Sequence, residues 1–159
     1  MILCQLAFFE MELDNIKDAE KFALASLMLN PRQADLKKIL GQIAQKNGNL
    51  DQAVKYYTEA IQSDPENSQR YLDACEIYLF RREVIKALDV LDQGIETSKS
   101  DWRLYQKAGK IYWEIKDYIK AELMVRQASD LNLNDQQLKR QLSTLTAMNI
   151  IHQKQEVLS

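Results

Sequence analysis

A chain of 159 residues, 46% hydrophobic and 28% charged, holds enough apolar mass for one folded unit of ordinary domain size and carries no signature of disorder. Its 21 basic residues against 23 acidic ones leave a net charge of −2, which excludes the one-signed basic field that nucleic acid or an anionic membrane would require. Two cysteines, Cys4 and Cys75, with no C-x-x-C pair and no neighbouring histidine, exclude a metal or thiol redox site, so no cofactor is expected.

The chain opens on an apolar run from Met1 to Phe9 that is broken by Glu10 and Glu12. It lacks a basic leader and is far too short to span a bilayer, so neither a signal peptide nor a membrane segment is expected, and cytoplasm is the default location. Alanine then recurs at Ala19, Ala53, Ala87 and Ala121, each 34 residues after the last. A parallel series of small residues runs Ala7, Gly41, Cys75, Gly109 and Ser143, and a third runs Ser26, Ala60, Gly94 and Ala128.

These series divide the chain into repeats 1–33, 34–67, 68–101 and 102–135, with a remnant over 136–159. Repeat two reads most clearly as two helices. Leu40, Gly41 and Ala44 share one face of the first, Asn47-Gly48-Asn49 makes the turn, and Ala53, Tyr57 and Ala60 lie at helical spacing on the second. Pro31 and Pro65, also 34 apart, disfavour helix at the residue before them and end the second helices. Two helices packed along their length leave no room for a large side chain at the crossing, so Cys75 reads as a small packing residue.

The remnant continues as a first helix over 136–149, with Leu138, Leu142 and Leu145 inward and Lys139, Arg140 and Gln141 outward. Gln155 stands where a second helix would need alanine, so residues 150–159 read as a frayed polar tail behind a capping helix, and residues 1–149 as the folded domain. At the other end Ile2, Leu3, Phe8, Phe9 and Met11 have nothing before them to cover them. Phe8, Phe9 and Met11 are therefore a candidate contact surface, either for self-association or for the rest of a longer repeat protein. The alternative is a short helix that packs these residues on its own neighbours.

This 34-residue helix-turn-helix period resembles the tetratricopeptide repeat family over about 135 of the 159 residues. The family's small eighth position matches Ala7, Gly41, Cys75 and Gly109, its aromatic eleventh matches Tyr78 and Tyr112, and its twentieth alanine is the first series above. Tyr57 alone keeps the aromatic twenty-fourth, and Lys99 and Leu133 replace the terminal proline in repeats three and four, where looser or longer turns are expected. The resemblance implies an all-α fold, a right-handed superhelix of four repeats plus a C-terminal capping helix. It also implies a concave wall made by the first helix of each pair.

Mapped through that resemblance, the wall carries Cys4, Phe8 and Met11, then Asp35, Lys38, Gln42 and Gln45, then Gln69, Leu72, Asp73, Glu76 and Leu79, then Arg103, Gln106, Lys107, Lys110 and Trp113. Long polar side chains with a few apolar anchors suit an extended or helical peptide. Trp113 is the candidate anchor or, in the plain reading, core packing under the cap. Some family members grip a C-terminal carboxylate with cations and amides, for which this chain offers Lys38, Gln42, Asp73, Arg103 and Lys107. Asp73 in an amide position would oppose the incoming carboxylate, unless it pairs with Lys107 or Arg103.

No enzyme is indicated. The single histidine, His152, falls in the polar tail, the pairs Asp89/Asp92 and Glu10/Glu12 read as solvated faces, and no phosphate-binding glycine loop occurs. The expected function is a non-catalytic scaffold or adaptor with a protein or peptide partner and no nucleic acid or membrane partner. A structural or regulatory segment of a larger enzyme or assembly, or a co-chaperone of the repeat type, are the alternatives.

Overall fold

The computed structural model describes residues 2–158, with side chains for residues 2–152. Among the described residues the regular elements are all α-helices: α1 (Ile2–Glu12), α2 (Ile16–Leu29), α3 (Ala34–Lys46), α4 (Leu50–Ser63), α5 (Ser68–Phe80), α6 (Val84–Thr97), α7 (Trp102–Glu114), α8 (Tyr118–Leu131) and α9 (Gln136–Leu158). None is long and apolar enough to cross a membrane. The fold is an all-α array of helical repeats, described in two compact units, Met1–Ala87 and Leu88–Ser159.

The three small-residue series mark where helices cross. Ala19, Ala53, Ala87 and Ala121 are all 0% exposed, as are Ala7 and Cys75. At Gly41 a Cβ would lie 3.1 Å from the Tyr57 ring, and at Gly109 it would lie 2.7 Å from Val125 Cγ2. The side chains met are the Tyr57 ring at Gly41 and Val125 at Gly109, so glycine stands at these two crossings where a bulky or β-branched partner leaves no space. Ser143 continues the series in sequence but is exposed, because among the described residues no helix follows to pack on it.

The turns inside the repeats share a backbone. Asp14, Gly48, Arg82 and Lys116, again 34 apart, all take positive φ, at 60°, 76°, 61° and 65°. Each is the left-handed residue of a helix-ending motif. Asn15, Asn49, Glu83 and Asp117 donate their N–H groups to the carbonyls of Glu10, Ala44, Tyr78 and Tyr112, and the left-handed residues donate to Met11, Gln45, Leu79 and Trp113. The turns between repeats are equally uniform, spanning 30–33, 64–67, 98–101 and 132–135. The looser turns expected at Lys99 and Leu133 are absent. Side-chain caps start the helices after both, as Asn67 does after Pro65: Asp101 accepts from the Arg103 N–H, and Asp135 accepts from those of Gln137 and Leu138.

In the first unit a core of Ala7, Ala19, Ala23, Leu36, Ile39, Leu40 and Ile43 joins α1, α2 and α3. In the second, Tyr105, Ala121, Val125, Ala128, Leu138 and Leu145 join α7, α8 and α9, and Leu142 packs on them while Lys139, Arg140 and Gln141 face solvent. α9 differs from the expected capping helix in length. It runs on to Leu158 instead of giving way to a tail at 150, because residues 136–158 contain no glycine or proline to stop it. His152 accordingly lies on a helix, its ring 6.1 Å edge-to-face from Tyr118.

Candidate binding surface

In the first unit α3 and α5 lie side by side and carry two of the expected rows. Lys38 Nζ sits 3.0 Å from Asp73 Oδ2, and Gln69 Nε2 donates to Asp73 Oδ1 at 3.0 Å. Both members of the ion pair are largely covered, with side chains 29% and 14% exposed. Asp73 therefore pairs with Lys38 on the preceding first helix. Its charge reaches the Tyr57 phenol, which is pushed up to about 12, first by burial and then by Asp73. Gln42, Gln45, Leu72 and Leu79 are half-buried beside the pair, while Glu76 and Asp35 are exposed.

Beneath this row lies a cation that sequence reasoning missed. Arg70, 6% exposed, bonds Asp35 through its guanidinium and lies 3.6 Å from Asp64. A buried guanidinium is held by such carboxylates and strands if they are lost. Its signal in the sequence is faint, a lone arginine two residues into a first helix, 35 after an aspartate.

In the second unit α7 gives its inner face to the core through Leu104, Tyr105, Ala108 and Ile111. Of the remaining face Arg103 and Lys110 are exposed, and Gln106, Lys107 and Trp113 are half-buried. Arg103 is held at the helix start by Asp101, with Nε donating to Oδ1 at 3.0 Å and Nη2 to Oδ2 at 2.7 Å, and this bonding raises its already high pKa. Trp113 packs on the second-unit core and meets Tyr118 edge-to-face at 5.2 Å, so it is partly a packing residue. Of the candidate carboxylate-gripping residues, Lys38 and Arg103 are thus each bonded to an aspartate of their own unit.

At the first repeat Phe8 and Phe9 are 41% and 55% exposed and Ile2 is 73% exposed. Met11 does not share that surface. It packs with Cys4 and Phe22 against the first-unit core, because it falls on the face of α1 turned to α2 and α3. Among the described residues no cluster of three histidine, cysteine, aspartate or glutamate side chains could hold a metal ion. Asp89 and Asp92 are both exposed on α6.

Two sequence profiles, each described as tetratricopeptide repeat, match residues 44–110 and 103–135. Among solved structures, a MamA protein matches with a TM-score of 0.75 at 14% identity, over 96% of this chain and 84% of that one. A tetratricopeptide repeat protein from Parabacteroides merdae matches with a TM-score of 0.76 at 19% identity, over 92% of this chain and 59% of that one. PilF of Pseudomonas aeruginosa matches with a TM-score of 0.73 at 17% identity, over 93% of this chain and 68% of that one. At these identities the likeness is one of fold.

Proposed function

Because this chain belongs to the tetratricopeptide repeat family, we propose that it is a non-catalytic scaffold or adaptor that holds a peptide or protein segment against the first helices of its repeats. Members of the family are in general protein-interaction modules. The observation that carries the reading is α7, where Arg103, Gln106, Lys107 and Lys110 recur along one helix face that the core does not consume, with the half-buried Trp113 at its edge. A row of long donors beside an aromatic ring suits a segment that supplies acceptors and an apolar side chain. A co-chaperone grip on a terminal carboxylate has less support, since Lys38 would have to leave Asp73 and strand a largely covered carboxylate.

The test is partner capture by the chain and by a Gln106→Glu, Lys107→Glu, Lys110→Glu variant whose helicity matches by circular dichroism. Lys38 is left alone, because reversing it would set two carboxylates against each other. Proteins retained by the parent chain and lost from the variant are expected. Equal retention would move the contact elsewhere.

A second reading rests on the exposed Ile2, Phe8 and Phe9, which favour self-association or attachment to a larger assembly through the first repeat. A Phe8→Ser, Phe9→Ser variant should then lower the mass measured by light scattering. An unchanged mass would remove that reading.

A further inference from the structure

α9 is attached to the second unit by two different chemistries. From Leu138 to Leu145 the attachment is apolar: Leu138 is 0% and Leu145 5% exposed, both inside the core cluster, and Leu142 packs against it. From Thr146 to His152 it is polar. The one buried residue in that stretch is Asn149, while Ile150 and Ile151 stand 49% and 56% exposed. Glu122 of α8 is the common acceptor. Thr146 Oγ1 donates to its Oε1 at 2.8 Å, Asn149 Nδ2 donates to its Oε2 at 2.6 Å, and Arg126 bonds it from its own helix at 2.6 Å.

Asn149 Nδ2 also donates to the Tyr118 carbonyl at 3.0 Å, so its amide orientation is fixed by two acceptors. Its Oδ1 is then turned into a buried place with no hydrogen-bond partner, which works against closure. The Tyr118 ring meets the His152 ring edge-to-face at 6.1 Å and the Trp113 ring edge-to-face at 5.2 Å, so the distal part of α9 borders the ring pair.

We propose that the distal part of α9, Thr146 to His152, is a strap latched to α8 through Glu122, and that its release bares the Trp113–Tyr118 ring pair. Polar donors let go into water find other acceptors, whereas buried leucines do not. The strap therefore opens without unseating Leu138 and Leu145, as a local event short of unfolding. Its use deepens the reading of α7 as the binding face, because Trp113 is that face's aromatic residue. The strap itself is measured on the chain alone, so its failure and the failure of that reading are separate results.

The experiment is amide hydrogen exchange, residue by residue, on the full chain and on Glu122→Ala and Leu145→Ala variants. Glu122→Ala should speed exchange over 146–152 about tenfold or more, the scale of losing charge-assisted hydrogen bonds, and leave 138–145 unchanged. Leu145→Ala should speed both halves. If Glu122→Ala leaves 146–152 unchanged, or speeds both halves together, α9 is one rigid cap and the strap is overturned. Acrylamide quenching of Trp113, read with Trp102→Phe in place, should rise in Glu122→Ala, and unchanged quenching would overturn the gating of the ring pair.

Discussion

The two units bury different titratable groups on one kind of backbone. The first holds the Tyr57 phenol, pushed up to about 12 by burial and then by the charge of Asp73. The second holds the Glu122 carboxylate below the usual glutamate range, chiefly by the hydrogen bond from Asn149 and further by Thr146 and Arg126. A repeat fixes where helices cross, while the polar residues set beside the crossings decide which pH limit each unit has. Because the phenol's folded pKa is raised, the stability it contributes is complete below about pH 10 and is lost as pH rises through about 12. The depressed carboxylate behaves oppositely. Its contribution is present above the ordinary glutamate value of about 4.3 and is lost as pH falls through the lowered one.

The strongest way to break the first unit alone is to strip Arg70 of its carboxylates. An Asp35→Asn, Asp64→Asn variant should lose about 3 kcal/mol in urea unfolding, because it leaves a buried guanidinium uncompensated. Arg70→Met should cost much less, since the aspartates it abandons are 60% and 40% exposed and water can serve them.

Next comes the alkaline limit, a loss of roughly 2 kcal/mol between pH 10 and 12, which Tyr57→Phe should abolish. Both tryptophans, Trp102 and Trp113, lie in the second unit, so far-ultraviolet circular dichroism should change before their fluorescence does. On acidification the order should reverse, with Trp113 reporting first.

Smaller still, Gly109→Ala should cost about 1 kcal/mol net, the overpacking against Val125 exceeding the gain in helix propensity. Gly41→Ala, facing an aromatic ring at 3.1 Å, should cost less. The smallest effect points the other way: Arg82→Gly should stabilise the chain by up to about 1 kcal/mol, because φ of 61° strains any residue with a Cβ.

What the sequence made legible is what packing enforces by residue type. A crossing admits alanine, glycine or cysteine and little else, so Ala19, Ala53, Ala87 and Ala121 betray the period at once. The left-handed turn residues recur at the same period but stayed hidden behind four identities, Asp14, Gly48, Arg82 and Lys116. Left-handed backbone is a conformation that several residue types tolerate at a cost, and only glycine advertises it. The Asp73–Lys38 pair was not read from the sequence, since spacing along a repeat does not say to which neighbouring helix a charge leans. Residues 150–158 were read as a tail because Gln155 stands where a second helix would need alanine, and the anchoring roles of Thr146 and Asn149 inside the cap were missed because polarity in a sequence looks the same whether it faces water or a half-buried carboxylate.

The shared turn backbone also limits how this chain can be edited. Each left-handed residue fixes the angle at which one helix hands over to the next, and each following residue turns a helix by about 100°. A gain or loss of a few residues inside any pair would rotate its alanine away from the crossing and present a charged face in its place. A tandem copy or deletion of 34 residues leaves every handover as it was. For this chain, whole repeats are the increment by which its gene can lengthen or shorten through recombination and still encode a folded product.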